Sequence, residues 1–118
     1  MTALFIIYIL FLHWIFDFVF QSDKMAINKS KSFFYLFYHC FFYSFWGLLI
    51  FPLIVQEQAL LFMLYLFVTH FIIDGITSRI TSYFWKRDEK HNFFVTIGFD
   101  QLLHFATIFL MLEHLMKG

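Results

Sequence analysis

Charge is what this sequence has least of. Charged residues fill 14% of its 118 positions, and the eight basic and eight acidic side chains cancel. A neutral chain with so few cations has no electrostatic footprint for nucleic acid, and none is expected as a partner. Cysteine occurs once, at Cys40, which excludes an internal disulfide and any CxxC metal motif. Proline also occurs once, at Pro52, near the end of an apolar stretch where a kink costs little. Polar linkers and low-complexity tails are missing as well.

Apolar surface is what the chain has in excess. Hydrophobic residues make up 62%, and Phe alone takes 21 positions. The mean hydropathy is +0.77. A core of this size cannot hide so much apolar surface, whereas a bilayer can. Four apolar stretches, 2–20, 33–55, 59–76 and 93–116, each approach or exceed the ~18–20 residues a helix needs to span a bilayer. The first has no basic leader segment and no small-residue cleavage site, and it carries His13 and Asp17, so it reads as a retained helix. The expected fold is all-α: a compact bundle of four transmembrane helices forming a single domain over 1–118.

Basic residues set the expected orientation. Lys24, Lys29 and Lys31 lie between the first and second stretches, and Arg79, Lys86, Arg87 and Lys90 between the third and fourth. Only Lys117 lies elsewhere. Loops 21–32 and 77–92 are therefore expected in the cytoplasm, with both termini outside. The basic run over 86–90 reads as a solvated loop facing lipid headgroups.

The polar residues within the apolar stretches form a pattern. His13, Asp17 and Gln21 are spaced i, i+4, i+8, and His70 and Asp74 are spaced i, i+4. His39 stands alone on the second stretch, while Asp100, Gln101 and His104 share the fourth. At about 1.5 Å per residue, His13, His39, His70 and Asp100 all fall about 9–10 Å from the cytoplasmic ends of their helices. Four antiparallel helices thus place their polar groups in one layer. An ionised Asp at such depth costs about 3 kcal/mol on insertion scales. Asp17, Asp74 and Asp100 have no Lys or Arg within the stretches, and Lys24 and Arg79 are too shallow to serve all three. They must be protonated, bonded by charged histidines, or neutralised by a metal.

His13, Asp17, His39, His70, Asp74, Asp100 and His104 are accordingly the candidate metal ligands. The donors are nitrogen and oxygen without thiolate, which suits zinc first, then manganese or iron. Seven ligands exceed the needs of one tetrahedral ion, so the count admits two metals. Gln21 and Gln101 are expected either to donate hydrogen bonds to the carboxylates or to bond between helices. Tyr35 and Tyr43 flank His39 as ordinary aromatics, Cys40 is packing, and His91 and His114 fall outside the layer. A metal-free network of shared protons is the competing reading.

The order His13-xxx-Asp17-xxx-Gln21, Lys24, His39, His70-xxx-Asp74 and Asp100-Gln101-xx-His104 resembles domain-of-unknown-function family 3307. Its members are small multi-spanning membrane proteins of bacteria and phages, which implies the inner (cytoplasmic) membrane. The ligand types are also similar to those of membrane-bound metal-dependent hydrolases. The paired HxxxD motifs resemble the intramembrane zinc site of cation diffusion facilitators, but this chain lacks their six helices and cytosolic domain.

The leading expectation is metal-dependent hydrolysis of a lipid or other amphiphile, with Asp100 as the catalytic base because it lies on a different helix from the HxxxD pairs. A metal-ion or proton pathway is the second, and it requires a homo-oligomer because four helices barely enclose a pore. A metal-stabilised regulatory membrane protein is the third. Toward the outer side the stretches present Phe5, Ile7, Leu48, Phe62 and Leu64, a plug that opposes ion passage.

Overall fold

The computed structural model describes residues 1–50 and 56–117, and all regular structure among them is helical. Pro52 and the expected end of the second stretch at Val55 lie outside the described residues. Thr2 caps α1 (Ala3–Trp14), its hydroxyl accepting from the Phe5 N–H at 3.1 Å. The helix then widens into a π turn over Ile15–Val19, closed by the Phe20 N–H on the Ile15 carbonyl at 3.0 Å. Ser22 caps α2 (Asp23–Asn28) and Ser32 caps α3 (Phe33–Ser44), which tightens into a 3-10 turn over Phe45–Ile50. α4 (Gln56–Lys86) and α5 (Lys90–Lys117) form a long hairpin. Its turn is three residues long, and Asp88 occupies the left-handed region at φ 56°, which Asp tolerates better than most side chains.

Three helical segments, Phe33–Ile50, Glu57–Lys86 and Lys90–Lys117, are long and apolar enough to cross a membrane. Ala3–Val19 is apolar but shorter. Both expected loops need correction. Residues 77–86 continue α4 and 90–92 open α5, leaving only 87–89 as connection. The segment 21–32 contains α2. Falling hydropathy marks where a helix would leave lipid, not where its hydrogen bonds stop. Thr69 and Thr77 stay helical by turning their hydroxyls onto the Tyr65 and Ile73 carbonyls, at 2.8 and 2.9 Å.

α4 is the central element. α5, α3 and the 3-10 turn pack on it, while the π turn of α1 and the short α2 pack on α3. The 3-10 turn approaches α4 closely at Gly47, where a Cβ would stand 3.1 Å from Met63 Cα. The interior is divided along its length. Ile9, Leu12, Trp46, Phe62, Leu66 and Leu112 form a buried apolar cluster at the end away from the α4–α5 turn. Buried polar side chains fill the half nearer that turn, among them Asp17, His39, His70, Asp74, Thr77 and Asp100. Outside, Leu4, Phe11, Phe34, Leu64, Phe94 and Leu110 are exposed, an apolar belt that water would not stabilise and a bilayer would.

Candidate metal centre

The π turn of α1 aims Asp17 inward, and a π turn is a common device for re-aiming a side chain at a functional site. Its carboxylate meets α3 and α4 together. Asp17 Oδ1 lies 2.9 Å from His39 Nε2 and 3.4 Å from His70 Nε2, and the two imidazole nitrogens lie 3.0 Å apart. All three residues are buried. Four donors bound tetrahedrally at zinc-like distances are separated by about 3.4 Å. The three edges of this triad fall close to that value, so the side chains present fit one small divalent ion. Two imidazole nitrogens 3.0 Å apart also cannot both present lone pairs; a shared proton or a cation must lie between them.

A second group overlaps the first. His70, Asp74 and His104 also bring donor atoms within 4.8 Å of one another. Asp74 Oδ2 lies 3.7 Å from His70 Nε2 and 3.6 Å from His39 Nε2, and Asp74 Oδ1 lies 3.8 Å from His104 Nε2. His70 belongs to both groups through one nitrogen, and one lone pair serves one ion. The geometry therefore suits a single ion better than the pair of ions that seven donors would admit.

The remaining expected ligands stand around these groups. His13 has both nitrogens engaged: Nδ1 with Tyr43 Oη at 2.7 Å and Nε2 with Gln101 Oε1 at 2.8 Å. The Gln101 oxygen can only accept, so Nε2 donates, and in the neutral ring Nδ1 accepts the Tyr43 proton. Gln101 Nε2 then donates to Asp100 Oδ2 at 2.9 Å. Asp100 also faces the Thr77 hydroxyl, whose one proton is shared with the Ile73 carbonyl, and stands 3.2 Å from His104 Nε2. Asp100 and His13 thus orient their neighbours and lie outside both triads. Among the described residues Gln21 donates to no carboxylate, and its buried Oε1 has no hydrogen-bond partner. The π turn and the end of the helix at Phe20 break the i, i+8 alignment with His13.

Three contributors were not expected. Lys29 extends from the end of α2 and sets Nζ 2.8 Å from Asp74 Oδ2, so the carboxylates do have a basic partner. Burial alone would lower the Lys29 pKa, but the charges of Asp74 and Asp17 outweigh it and hold the ammonium above its ordinary range. Thr77 completes the surroundings of Asp100. Tyr43 anchors His13 and stacks on His70, centroid to centroid 3.8 Å. The signal for Lys29 was the unbalanced triplet of aspartates, which demanded a cation from a neighbouring segment.

One cavity reaches this layer, and a second lies beside it toward the turn. A lateral cavity of about 400 Å³ between α1 and α3 is walled by Phe16, Phe20, Met25, Phe42 and Phe45, with Gln21 and His39 at its polar side. A second cavity, of about 470 Å³, opens at the turn end beside Lys29 and Ser78.

The chain belongs to the family described as protein of unknown function (DUF3307), whose model matches residues 5–117. No curated protein and no solved structure matches it.

Proposed function

We propose that the chain is a four-span membrane protein, a single domain over 1–118, with one divalent ion held by Asp17, His39 and His70, and that it hydrolyses a lipid or another amphiphile there. The observation that carries the reading is the position of His39. It belongs to the buried triad and also to the wall of the phenylalanine-lined lateral cavity. An apolar tail can therefore enter from the bilayer while its polar linkage meets the ligand set. The nitrogen and oxygen donors suit zinc, and manganese or iron next.

A bound ion would supply Lewis-acid activation of water at neutral pH. For the proton acceptor we favour Asp74 over the expected Asp100, a choice supported by Asp74 Oδ2 facing both triad nitrogens while Asp100 is tied to Thr77 and Gln101. Lys29, on that same Oδ2, stabilises the carboxylate before the transfer. The test is elemental analysis of the purified protein beside His39→Ala and His70→Ala. About one zinc-like ion per wild-type chain and little in either variant is the expected result. Equal, negligible metal in all three sinks the metal reading. Asp74→Asn should keep the metal and abolish release of product from a panel of membrane lipids.

A proton or ion pathway is the second reading, favoured by the unbroken run of polar contacts from Lys29 through Asp74, His70 and Asp17 to His13. The apolar cluster of Trp46, Phe62, Leu66 and Leu112 closes the far half, and an ion would meet a large desolvation cost there. Metal flux through reconstituted wild-type protein, lost in Asp74→Ala, would promote this reading.

A further inference from the structure

Five of the eight basic residues line two cavities at the turn end of the bundle, away from the ligand triad. The 470 Å³ cavity there includes Lys29, Lys31 and Lys86 in its lining, and a neighbouring cavity of about 350 Å³ includes Lys31, Arg79, Lys86 and Arg87. Ser30, Lys31, Ser82 and Lys86 line both, so the two adjoin across a shared wall. Among the described residues no carboxylate lines either cavity. Lys29 is engaged by Asp74 and Arg87 by Glu89, at 2.8 and 3.1 Å. Lys31, Arg79 and Lys86 have no such carboxylate. Arg79 is held in place by the Gly75 carbonyl at 2.6 Å and by the Phe33 ring, which leaves its charge uncancelled. One further polar atom is unexplained. Ser78 is 6% exposed and lines the larger cavity, yet its buried Oγ has no hydrogen-bond partner among the described residues. A buried hydroxyl without a partner is rare enough in folded proteins to require a reason.

We propose that these adjoining cavities bind a phosphate group, with Lys31, Arg79 and Lys86 supplying charge and Ser78 and Ser82 supplying hydroxyl donors. A phosphate offers several strong acceptor oxygens, which suits a ring of cations and hydroxyls containing no anion. The cavities lie where the apolar belt gives way to basic residues, the level of lipid headgroups. The site is independent of any metal at the triad.

Native mass spectrometry of the full-length protein, stripped of lipid in a neutral detergent, tests the proposal. The probes are phosphatidylglycerol, diacylglycerol, which has no phosphate, and inorganic phosphate. Wild type should retain phosphatidylglycerol in preference to diacylglycerol. The double variant Lys31→Gln, Lys86→Gln should weaken phosphatidylglycerol binding about thirtyfold, given the usual contribution of two surface cations. Ser78→Ala, which alters no charge, should weaken it about fivefold, the effect of one buried hydrogen bond. Displacement by millimolar inorganic phosphate would assign the site to small phosphate compounds; retention of the lipid against it would assign the site to headgroups. Both outcomes support a phosphate site. Equal retention of the two lipids by wild type overturns it. Ser78→Ala binding as wild type does, while only the lysine variant weakens, also overturns it, because the effect would then be diffuse surface charge.

Discussion

At the scale of single residues, the layer rests on hydrogen bonds that each have one direction. Tyr43 donates to His13, His13 to Gln101, and Gln101 to Asp100. Removing the first donor leaves a buried imidazole nitrogen without a partner. Tyr43→Phe should therefore lower stability by about 1–3 kcal/mol, measured as a lower thermal midpoint in detergent. Tyr35→Phe should leave the midpoint unchanged, because among the described residues the Tyr35 hydroxyl has no hydrogen bond. Lys29 gives the sharper test. Its ammonium meets Asp74 Oδ2, at the edge of the groups that would hold a divalent ion. Two cations at one site repel each other. Lys29→Met should raise zinc affinity about tenfold or more, measured by competition with a chromophoric chelator. Weaker binding in that variant would show that Lys29 orders the ligands instead of opposing the ion.

At the scale of elements, close approach matters more than composition. Gly47 and Gly98 are alike in sequence and opposite in setting. A Cβ at Gly47 would press on the Met63 backbone at 3.1 Å, and backbone inside a long helix yields poorly. A Cβ at Gly98 would meet nothing within 4 Å. Gly47→Ala should destabilise the packing of the 3-10 turn on α4 by about 1–3 kcal/mol. Gly98→Ala should be neutral or stabilise α5 by up to about 1 kcal/mol, as for any exposed helix interior. Detergent melts of the two variants should move in different directions, and equal shifts would refute the packing argument. This difference was invisible in the sequence, as was Lys29 reaching Asp74, because both depend on which segments fold back on one another. Spacing alone did pair His70 with Asp74 and Asp100 with His104, since an i, i+4 contact is local to one helix. Spacing failed for Gln21, where the π turn added a residue to the count.

At the scale of the whole molecule, the open issue is whether α1 and its π turn count as a span. Seventeen helical residues at 1.5 Å each reach only about 25 Å, short of the roughly 30 Å hydrocarbon core. The contacts favour spanning nonetheless. Asp17 reaches His39 and His70, and His13 reaches Tyr43 and Gln101, so α1 lies at the depth of the other helices instead of along the surface. Leu4, Ile7 and Phe11 are exposed on its outward face, where only lipid would stabilise them. Four spans put both termini on one side and the α4–α5 turn on the other; three spans separate the termini. Seven of the eight basic residues lie near α2 or that turn, so the proposed four-span arrangement predicts those segments in the cytoplasm and both termini outside. Paired reporters, one sensing cytoplasm and one sensing the outside, decide it when placed before Met1, at Asp88 and after Lys117. Both terminal fusions should report outside and the Asp88 insertion cytoplasm. A first fusion in the cytoplasm with the last outside would show that α1 does not cross. His13 and Asp17 would then have to reach the layer from a helix that re-enters the side it came from, and the lateral cavity between α1 and α3 would open toward the cytoplasm rather than into lipid.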